Sequence, residues 1–591
     1  MRQELAALRS AMKEEGITVW ISPCSDAHGS EYIGEHDQCV RFLSGFTGDS
    51  CTLLVMEEEA YLWTDGRYFE QAEKELEGSG ITLMKMGEKG VPSLSLFLRR
   101  NLGREDVPAF FAPLFGAGQG RELTELFERA CGSYRTDLDL PDRVWKDRPP
   151  RSSSGIWVHP EKYAGESAER KISRIREAVR KEGCTCFFTG ALDEVAWILN
   201  LRGSDIACNP VFLSWLLLKE DSCVLFLQRE ALTEGAAEAL KGVEIRDYDE
   251  VLPVLRALEG EKVLMDLTAV SFSCWNAVRE KNRVKDALSP AARMKCVKNE
   301  TEIRCMKKSH LRDGVYLTKY LFRVKKAAAA GRNVTETEAA EVLDRMRAGD
   351  PEYVSLSFPT ISAYGANAAM AHYMPRPETA ALLRRKGLYL VDSGAQYMDG
   401  TTDVTRTIAL GPVTRREKRD YTLTVIGMLR LMHAVFPAGT RGMNLDTFAR
   451  QAMWEEGVDF NHGTGHGVGF LNNVHEMPVS VRMRPSADPK RDIPFEPGMV
   501  TSDEPGVYVP GKYGIRTENL ILCTEHPKYE GFCTFVPLTL VPLDPEPLDR
   551  TLMSEQDIRW YNAYQDLVRK KIGPKLTEEE RDWLNYETRE I

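Results

Sequence analysis

The chain has 591 residues, of which 43% are hydrophobic and 28% charged, and its formal net charge at pH 7 is -11. This composition is ordinary for a globular protein and carries no disordered or low-complexity bias. The acidic balance argues against nucleic acid or an anionic membrane surface as a partner.

The amino terminus predicts a helix over residues 2–15 and lacks the apolar stretch of a signal peptide. The most membrane-like run, residues 206–218, contains Asn209-Pro210 and is too short to span a bilayer. We therefore expect a cytoplasmic protein without a membrane partner. The 13 cysteines include no paired Cys-x-x-Cys sets of the kind that bind structural zinc, so we expect reduced thiols.

The order of predicted elements divides the chain into three domains. Residues 1–145 alternate helices and strands, and the segment 138–155, rich in Pro, Ser and Arg, predicts a linker. A second α/β domain follows over 146–292, with a helix near 166–182 and strands at 185–189, 212–218 and 223–227. A faint, gapped similarity between residues 41–49 and 197–205 suggests that it repeats the first domain. The third domain, 293–591, begins near a helix over 300–321.

Five residues of the third domain predict a metal centre. Each lies in a segment typical of a strand end or tight turn; they are Asp392, Asp403, His466, Glu504 and Glu518. Four carboxylates carry about four negative charges, which two divalent ions would nearly offset. Any one of these acids alone would be explained as well by a salt bridge or a turn, but all five in this order favour metal.

The segment around His466 has glycine at every second position from 463 to 469. Each glycine disfavours a helix by about 1 kcal/mol relative to alanine, so we expect an extended segment. In a strand, His462 and His466 would share one face. Oxygen-rich ligation with a single imidazole favours Mn(II), and Co(II) or Zn(II) are the alternatives.

The motifs around these residues resemble those of the Xaa-Pro aminopeptidases, called aminopeptidase P. The resemblance in the third domain is carried by Val391-Asp-Ser-Gly-Ala-Gln-Tyr397, Asp399-Gly-Thr-Thr-Asp-Val-Thr-Arg-Thr407, His462-Gly-Thr-Gly-His-Gly-Val-Gly469, Asn473-Val-His-Glu476, Asp503-Glu-Pro-Gly506 and Gly514-Ile-Arg-Thr-Glu-Asn519. The amino-terminal motifs Ser25-Asp-Ala-His-Gly-Ser-Glu-Tyr32, Trp63-Thr-Asp-Gly-Arg-Tyr-Phe69, Ala191-Leu-Asp-Glu-Val-Ala-Trp197 and Leu201-Arg-Gly-Ser-Asp205 are similar to those of the long, three-domain cytosolic type. The resemblance implies two creatinase-like α/β domains followed by a pita-bread catalytic domain, an α/β (α+β) fold.

The resemblance also implies how the site works. Asp392 and Asp403 would bind one metal, His466 and Glu504 the other, with Asp403 and Glu518 bridging both. A hydroxide that bridges the metals would attack the peptide bond before a penultimate proline, and Glu504 would relay the proton.

The substrate-binding residues follow from the same resemblance. His372 and His475 match histidines that bind substrate and stabilise the developing negative charge. His462 and Arg516 match residues that line the proline side of the pocket, although Arg516 could instead neutralise a buried acid.

Two other functions remain as alternatives. A prolidase of the same fold would cleave only Xaa-Pro dipeptides, and an inactive peptide-binding scaffold would bind without cleaving. The expected partners are short peptides with a penultimate proline. Since enzymes of the long type are commonly dimers, we also expect a homodimer.

Overall fold

A computed structural model describes residues 2–486 and 488–591 of the chain, and these form two compact units. The first unit comprises Met1–Val158, Glu166–Ala207 and Val211–Ala291, and the second comprises His159–Gly165, Cys208–Pro210 and Ala292–Ile591. The three domain ranges 1–145, 146–292 and 293–591 stay a prediction. None of the described helices is long and apolar enough to cross a membrane. All thirteen cysteines are free.

The first unit contains two mixed sheets with the same strand order. The strands of one are Val19–Pro23, Cys51–Met56, Ala60–Thr64, Thr82–Lys85 and Pro108–Phe110. Those of the other are Cys186–Thr189, Ser214–Lys219, Cys223–Leu227, Glu244–Asp247, Lys262–Met265 and Arg283–Asp286. Numbered along the chain, they are ordered 4-3-2-1-5 and 4-3-2-1-5-6. The parallel and antiparallel pairings of the first five strands also coincide, which agrees with the predicted repeat.

The helices of the first unit cover these sheets with apolar faces. They are Gln3–Glu14, Cys39–Ser44, Phe69–Glu75, Leu94–Asn101, Ala117–Ala130, Leu140–Val144, Ala168–Lys181, Leu192–Leu199, Glu234–Ala239, Val251–Ala257 and Phe272–Arg279, followed by Pro290–Lys295 where the two units meet in sequence. The predicted helices 2–15 and 166–182 are confirmed to within two residues at each end. The predicted linker 138–155 contains the short helix Leu140–Val144, so only its later part is irregular.

The second unit is built from antiparallel sheets. A three-stranded sheet comprises Ile361–Tyr364, Leu388–Ser393 and Val404–Ala409, and a second comprises Tyr353–Leu356, Ala395–Tyr397 and Gly400–Thr401. A six-stranded sheet comprises Val435–Pro437, Gly465–Gly467, Glu476–Val481, Val500–Asp503, Asn519–Glu525 and Phe532–Pro537, and a hairpin comprises Gly506–Val509 and Tyr513–Arg516.

Helices complete the second unit. The short helix Glu161–Ala164 is followed by the longer helices Glu300–Ala329, Glu336–Ala348, Arg415–Met432, Gly442–Glu455, Glu555–Ile572 and Glu578–Glu587. The helix Glu300–Ala329 begins at a capping box formed by Asn299 and Glu302, and it extends eight residues beyond the predicted end at 321. The helix Arg415–Met432 shares one apolar core with the six-stranded sheet, so this sheet has a rigid support.

Candidate metal centre

Two antiparallel strands place Asp392 beside Asp403. Asp392 lies near the end of Leu388–Ser393 and is paired with Thr405, near the start of Val404–Ala409. Asp403 immediately precedes that second strand, so both acids lie at the same end of the pair. Both side chains are buried, as expected for groups that face a shared site.

A second strand pair places Glu504 beside Glu518 in the same way. Asp503, the last residue of Val500–Asp503, is paired with Asn519, the first residue of Asn519–Glu525. Glu504 follows one strand and Glu518 precedes the other, which brings both to one end of the six-stranded sheet. The sequence-based expectation that these acids lie at strand ends is confirmed.

His466 lies in the short strand Gly465–Gly467, between two neighbouring strands. A Cβ atom at Gly465 would lie 2.0 Å from the Ser502 carbonyl oxygen, and one at Gly467 would lie 2.3 Å from that of Glu476. Glycine is therefore required on both sides of His466 for the strands to approach. The strand does not reach His462, so the prediction that both histidines share one strand face was wrong.

Several ligand atoms converge in this part of the second unit. Atoms of Asp403, His466 and Glu518 all lie within 4.8 Å of one another. His466 Nε2 lies 3.5 Å from Asp403 Oδ2 and 3.4 Å from Glu504 Oε1. Asp392 belongs to the same electrostatic cluster, since its charge acts on both Asp403 and Glu518.

The cluster is electrostatically strained without cations. Burial, together with the charge of Asp392, raises the pKa of Asp403 to about 6. Burial and the charges of Asp403, Asp392 and Glu504 raise the pKa of Glu518 well above its ordinary value. Burial lowers the pKa of His466, but Asp403 and Glu504 outweigh it and raise the pKa to about 9. Carboxylates packed this closely need positive charge to ionise together.

The residues present fit a pair of divalent ions. Asp392 Oδ1 is buried and has no hydrogen-bond partner among the described residues, which leaves an acceptor free for a cation. Glu518 Oε2 accepts a hydrogen bond from Thr405 Oγ1 at 2.7 Å, and the His466 Nδ1–H donates to the Gly467 carbonyl at 2.9 Å. These contacts orient the carboxylate and leave His466 Nε2 to bind metal.

A series of side-chain hydrogen bonds connects Asp392 of the metal centre to His462. Arg516 Nη2 donates to Asp392 Oδ2 at 2.5 Å, and its Nη1 donates to the Tyr508 hydroxyl at 2.7 Å. The same hydroxyl lies 2.9 Å from His462 Nε2 and donates to it. Sequence reasoning missed Tyr508. Its signal was the hairpin register: Gly506 pairs with Arg516, so the residue two positions after Gly506 shares the face of Arg516.

The two remaining predicted histidines lie in separate segments. The His475 ring packs edge-on against His466, with the ring centroids 4.2 Å apart. Its neighbour Glu476 is buried and paired with Lys295 at 3.2 Å and with Lys298 at closer range, which holds this segment. His372 lies in a turn after the 3-10 helix Gly365–Ala369 and is half-buried. The roles of both histidines stay a prediction.

Family models match almost the entire chain. The model described as metallopeptidase family M24 matches residues 304–525, and the C-terminal region of peptidase M24 matches 531–591. Two models of the creatinase/prolidase N-terminal domain match residues 5–107 and 147–302.

Two curated relatives are similar to this chain over nearly their whole length. A protein of Paracoccidioides brasiliensis (strain Pb18) named "Probable Xaa-Pro aminopeptidase P" is 38% identical over 614 residues, covering 100% of this chain and 99% of the relative. A protein of Coprinopsis cinerea with the same name is 37% identical over 618 residues, covering 100% and 98%.

Solved structures show the same fold. The X-prolyl aminopeptidase of Caenorhabditis elegans, described as a cytosolic enzyme with a di-nuclear active site, matches with a TM-score of 0.95 and 34% identity, covering 100% of this chain and 99% of that one. An Xaa-Pro dipeptidase of Bacillus anthracis matches with a TM-score of 0.50 and 24% identity over 64% of this chain and 99% of its own, a likeness of fold alone.

Proposed function

The chain belongs to the Xaa-Pro aminopeptidase P family within metallopeptidase family M24, and from this premise we infer that it removes the first residue of peptides whose second residue is proline. It is a metal-dependent hydrolase. The observation that carries this inference is the convergence of Asp403, His466 and Glu518, with Asp392 and Glu504 in the same charge cluster.

We propose that these five residues hold two divalent ions, most simply Mn(II). When bound, such ions would lower the pKa of a shared water from 15.7 to about 7 and so provide hydroxide at neutral pH. We assign the role of proton acceptor to Glu504, and the contacts that orient its carboxylate support this: Oε1 lies 3.4 Å from His466 Nε2 and accepts a hydrogen bond from Ser502 Oγ at 3.0 Å.

The residues around the centre would bind the scissile group and the proline. His475 contacts His466, so its ring can donate a hydrogen bond near the attacked carbonyl, where negative charge develops. We assign the same function to His372. We assign the proline side of the pocket to His462 and Arg516, with Tyr508 fixing both. A proline amide has no N–H, so shape and not a backbone donor must select it.

We also propose that the metal is manganese, that the protein is cytoplasmic and that it forms a homodimer. The oxygen-rich ligand set supports manganese, and Co(II) or Zn(II) would fit less well. The cytosolic description of the C. elegans enzyme supports the location.

Hydrolysis of three peptides tests the reaction. Chelated protein should release arginine from Arg-Pro-Pro only after Mn(II) is added, and it should leave Arg-Ala-Ala intact. Cleavage of Arg-Pro alone would identify a prolidase instead. No cleavage with Mn(II), Co(II) or Zn(II) would favour an inactive scaffold.

Direct metal binding tests the ligand assignment separately. Equilibrium dialysis should find two Mn(II) per chain in the unaltered protein and weaker binding, by about tenfold or more, in Asp403→Asn. Asp582→Asn, which changes an exposed carboxylate, is the matched control and should bind as the unaltered protein does. Equal Mn(II) binding by the two variants would show that Asp403 is not a metal ligand.

A further inference from the structure

The first unit contains a partly open cavity that the proposed peptidase chemistry does not use. Its volume is about 140 Å³, and its walls include His28, Asp37, Arg151, Trp215 and Tyr248. A cavity of roughly 150 Å³ accepts benzene, so this one accommodates a molecule of about six to eight non-hydrogen atoms. All the lining residues belong to the first unit.

Hydrogen bonds hold the aromatic wall of the cavity in place. His28 Nδ1 lies 2.8 Å from the Gly190 carbonyl oxygen, to which it must donate, so Nε2 accepts from the Tyr248 hydroxyl at 2.7 Å. Burial lowers the pKa of His28, which keeps the ring neutral. The His28 ring lies 4.2 Å from that of Trp215. The wall is therefore rigid, and it uses a histidine from the motif at 25–32 that has no part in the metal centre.

One side of the cavity offers hydrogen-bond donors without acceptors. Trp215 is 3% exposed, and its indole Nε1–H has no hydrogen-bond partner among the described residues. Arg151 donates from Nη1 to Asp249 at 2.8 Å and lies over the Tyr248 ring, 5.0 Å from its centroid. Its other N–H groups make no hydrogen bond within residues 2–486 and 488–591. The Trp215 indole N–H is buried, and a buried donor of this kind is normally paired, whereas the Arg151 side chain is 41% exposed.

A carboxyl group in the same wall is left without a donor. Asp37 is partly exposed where it lines the cavity, and its side chain makes no hydrogen bond or ion pair with any described residue. The buried guanidinium of the wall, that of Arg148, is already paired with Asp139 at 2.8 Å. Burial, with the charge of Asp26, raises the pKa of Asp37 to about 7. A cationic donor beside Asp37 would restore its ionisation.

We propose that this cavity binds a small zwitterion, a free α-amino acid of about the size of valine. Its ammonium group pairs with Asp37, and its carboxylate accepts from Trp215 Nε1–H and Arg151. Its apolar side chain packs against Leu213 and Val251, which also line the cavity. A cation alone would leave the indole unpaired, and an anion alone would leave Asp37 unpaired. Binding requires no metal and no residue of the second unit, so it is independent of the proposed peptidase activity.

Titration of the full chain labelled with 15N-indole tryptophan tests this proposal. The ten tryptophans give separate indole signals, and loss of one signal in Trp215→Phe assigns that residue. L-valine should shift the Trp215 signal in a saturable way, with and without Mn(II). Isobutylamine, which lacks the carboxylate, and 3-methylbutanoate, which lacks the ammonium, should bind about tenfold or more weakly, since each loses a charge-assisted contact.

Charge variants distinguish a built site from a solvent-filled void. Asp37→Asn should weaken valine and isobutylamine by about tenfold while leaving 3-methylbutanoate unchanged, because only the ammonium contact is lost. Asp221→Asn, an exposed aspartate of the same unit, is the matched control and should not change valine binding. Trp63, whose Nε1 already donates to the Pro92 carbonyl, gives a reference signal that should not move. An unmoved Trp215 signal, or equal binding of all three compounds, would overturn the proposal.

Discussion

Arg516 neutralises one carboxylate of the acid cluster, that of Asp392. Its guanidinium bonds Asp392 Oδ2 through Nε at 3.2 Å and Nη2 at 2.5 Å, and it is 4% exposed. Neutralisation of a buried acid was one of the two roles left open by the sequence, and this ion pair supports it. The hydrogen bond to Tyr508 extends the arginine toward His462, so one side chain can serve both purposes.

Tyr508→Phe tests whether the hydrogen bonds from Arg516 through Tyr508 to His462 position the substrate-binding residues. Removing the hydroxyl leaves a buried Arg516 N–H and His462 Nε2 without their shared partner. A hydrogen bond to a charged group contributes about 1.5–3 kcal/mol, so kcat/KM for Arg-Pro-Pro should fall about tenfold or more. Mn(II) binding should not change. Tyr529→Phe, at a 57% exposed tyrosine, is the control, and equal kcat/KM in both variants would contradict the role.

Glu518→Gln tests the electrostatic strain of the metal-free cluster. The pKa of Glu518 is raised on folding, so the metal-free folded state loses stability as pH rises above the unfolded value of about 4.5. The amide removes that cost, and the free energy of unfolding in chelator at pH 7 should rise by about 1–3 kcal/mol while peptide hydrolysis is lost. Urea denaturation measures it. Glu530→Gln, at an exposed residue, should change neither, and a destabilised Glu518→Gln protein would refute the strain.

At the scale of elements, Lys325 of the helix Glu300–Ala329 pairs with the last helix, Glu578–Glu587, and with Asp544 in the irregular segment that precedes the carboxy-terminal helices. Lys325 Nζ lies 2.8 Å from Glu587 Oε2 and 2.9 Å from Asp544 Oδ2. One cation between two buried carboxylates leaves excess negative charge. Burial and the charge of Asp544 therefore raise the pKa of Glu587 to about 7, despite the contact with Lys325.

Glu587→Gln should alter the pH dependence of stability. Because the folded-state pKa exceeds the unfolded value of about 4.5, the group costs no stability below pH 4.5, and the cost grows as pH rises to about 7. The unaltered, Mn(II)-loaded protein should thus lose on the order of 1–3 kcal/mol more than the variant between pH 5 and pH 8. The free energy of unfolding is measured by urea titration at each pH. The prediction is contradicted if it changes equally with pH in the unaltered protein and in Glu587→Gln. Glu579→Gln, an exposed acid on the same helix, is the control.

At the scale of the whole molecule, the division into two units separates the two sites. The acid cluster belongs to the second unit, and the cavity lined by Trp215 belongs to the first. The second unit also includes His159–Gly165, so the predicted second domain contributes a segment to it. Tyr163 of that segment donates to Glu352 Oε2 at 2.9 Å.

Calorimetry should resolve two unfolding transitions, since multi-unit chains seldom unfold in one step. Mn(II) should raise the temperature of one transition, because binding only to the folded state stabilises it by about 2.7 kcal/mol at a hundredfold excess over Kd. Asp403→Asn should abolish that shift and leave the other transition unchanged. A single transition that moves as a whole with metal would show that the units unfold together.

Much of the metal centre could be predicted because its signals are local. Asp392, Asp403, Glu504 and Glu518 each adjoin an apolar run and a turn, and the alternating glycines around His466 exclude a helix. Tyr508 carried no such signal, since an isolated tyrosine after a turn is equally well explained by packing. Its role depends on the hairpin register that pairs Gly506 with Arg516.

The sequence by itself determined the family, the kind of metal ligands and the strand ends that carry them, since residue type and periodicity along the chain are local properties. Only the tertiary structure decided which atoms meet. Asp392 pairs with Arg516, more than a hundred residues away, and the cavity unites Asp37 with Trp215. Such contacts depend on strand pairing and burial between distant segments, and no pattern within one segment encodes them.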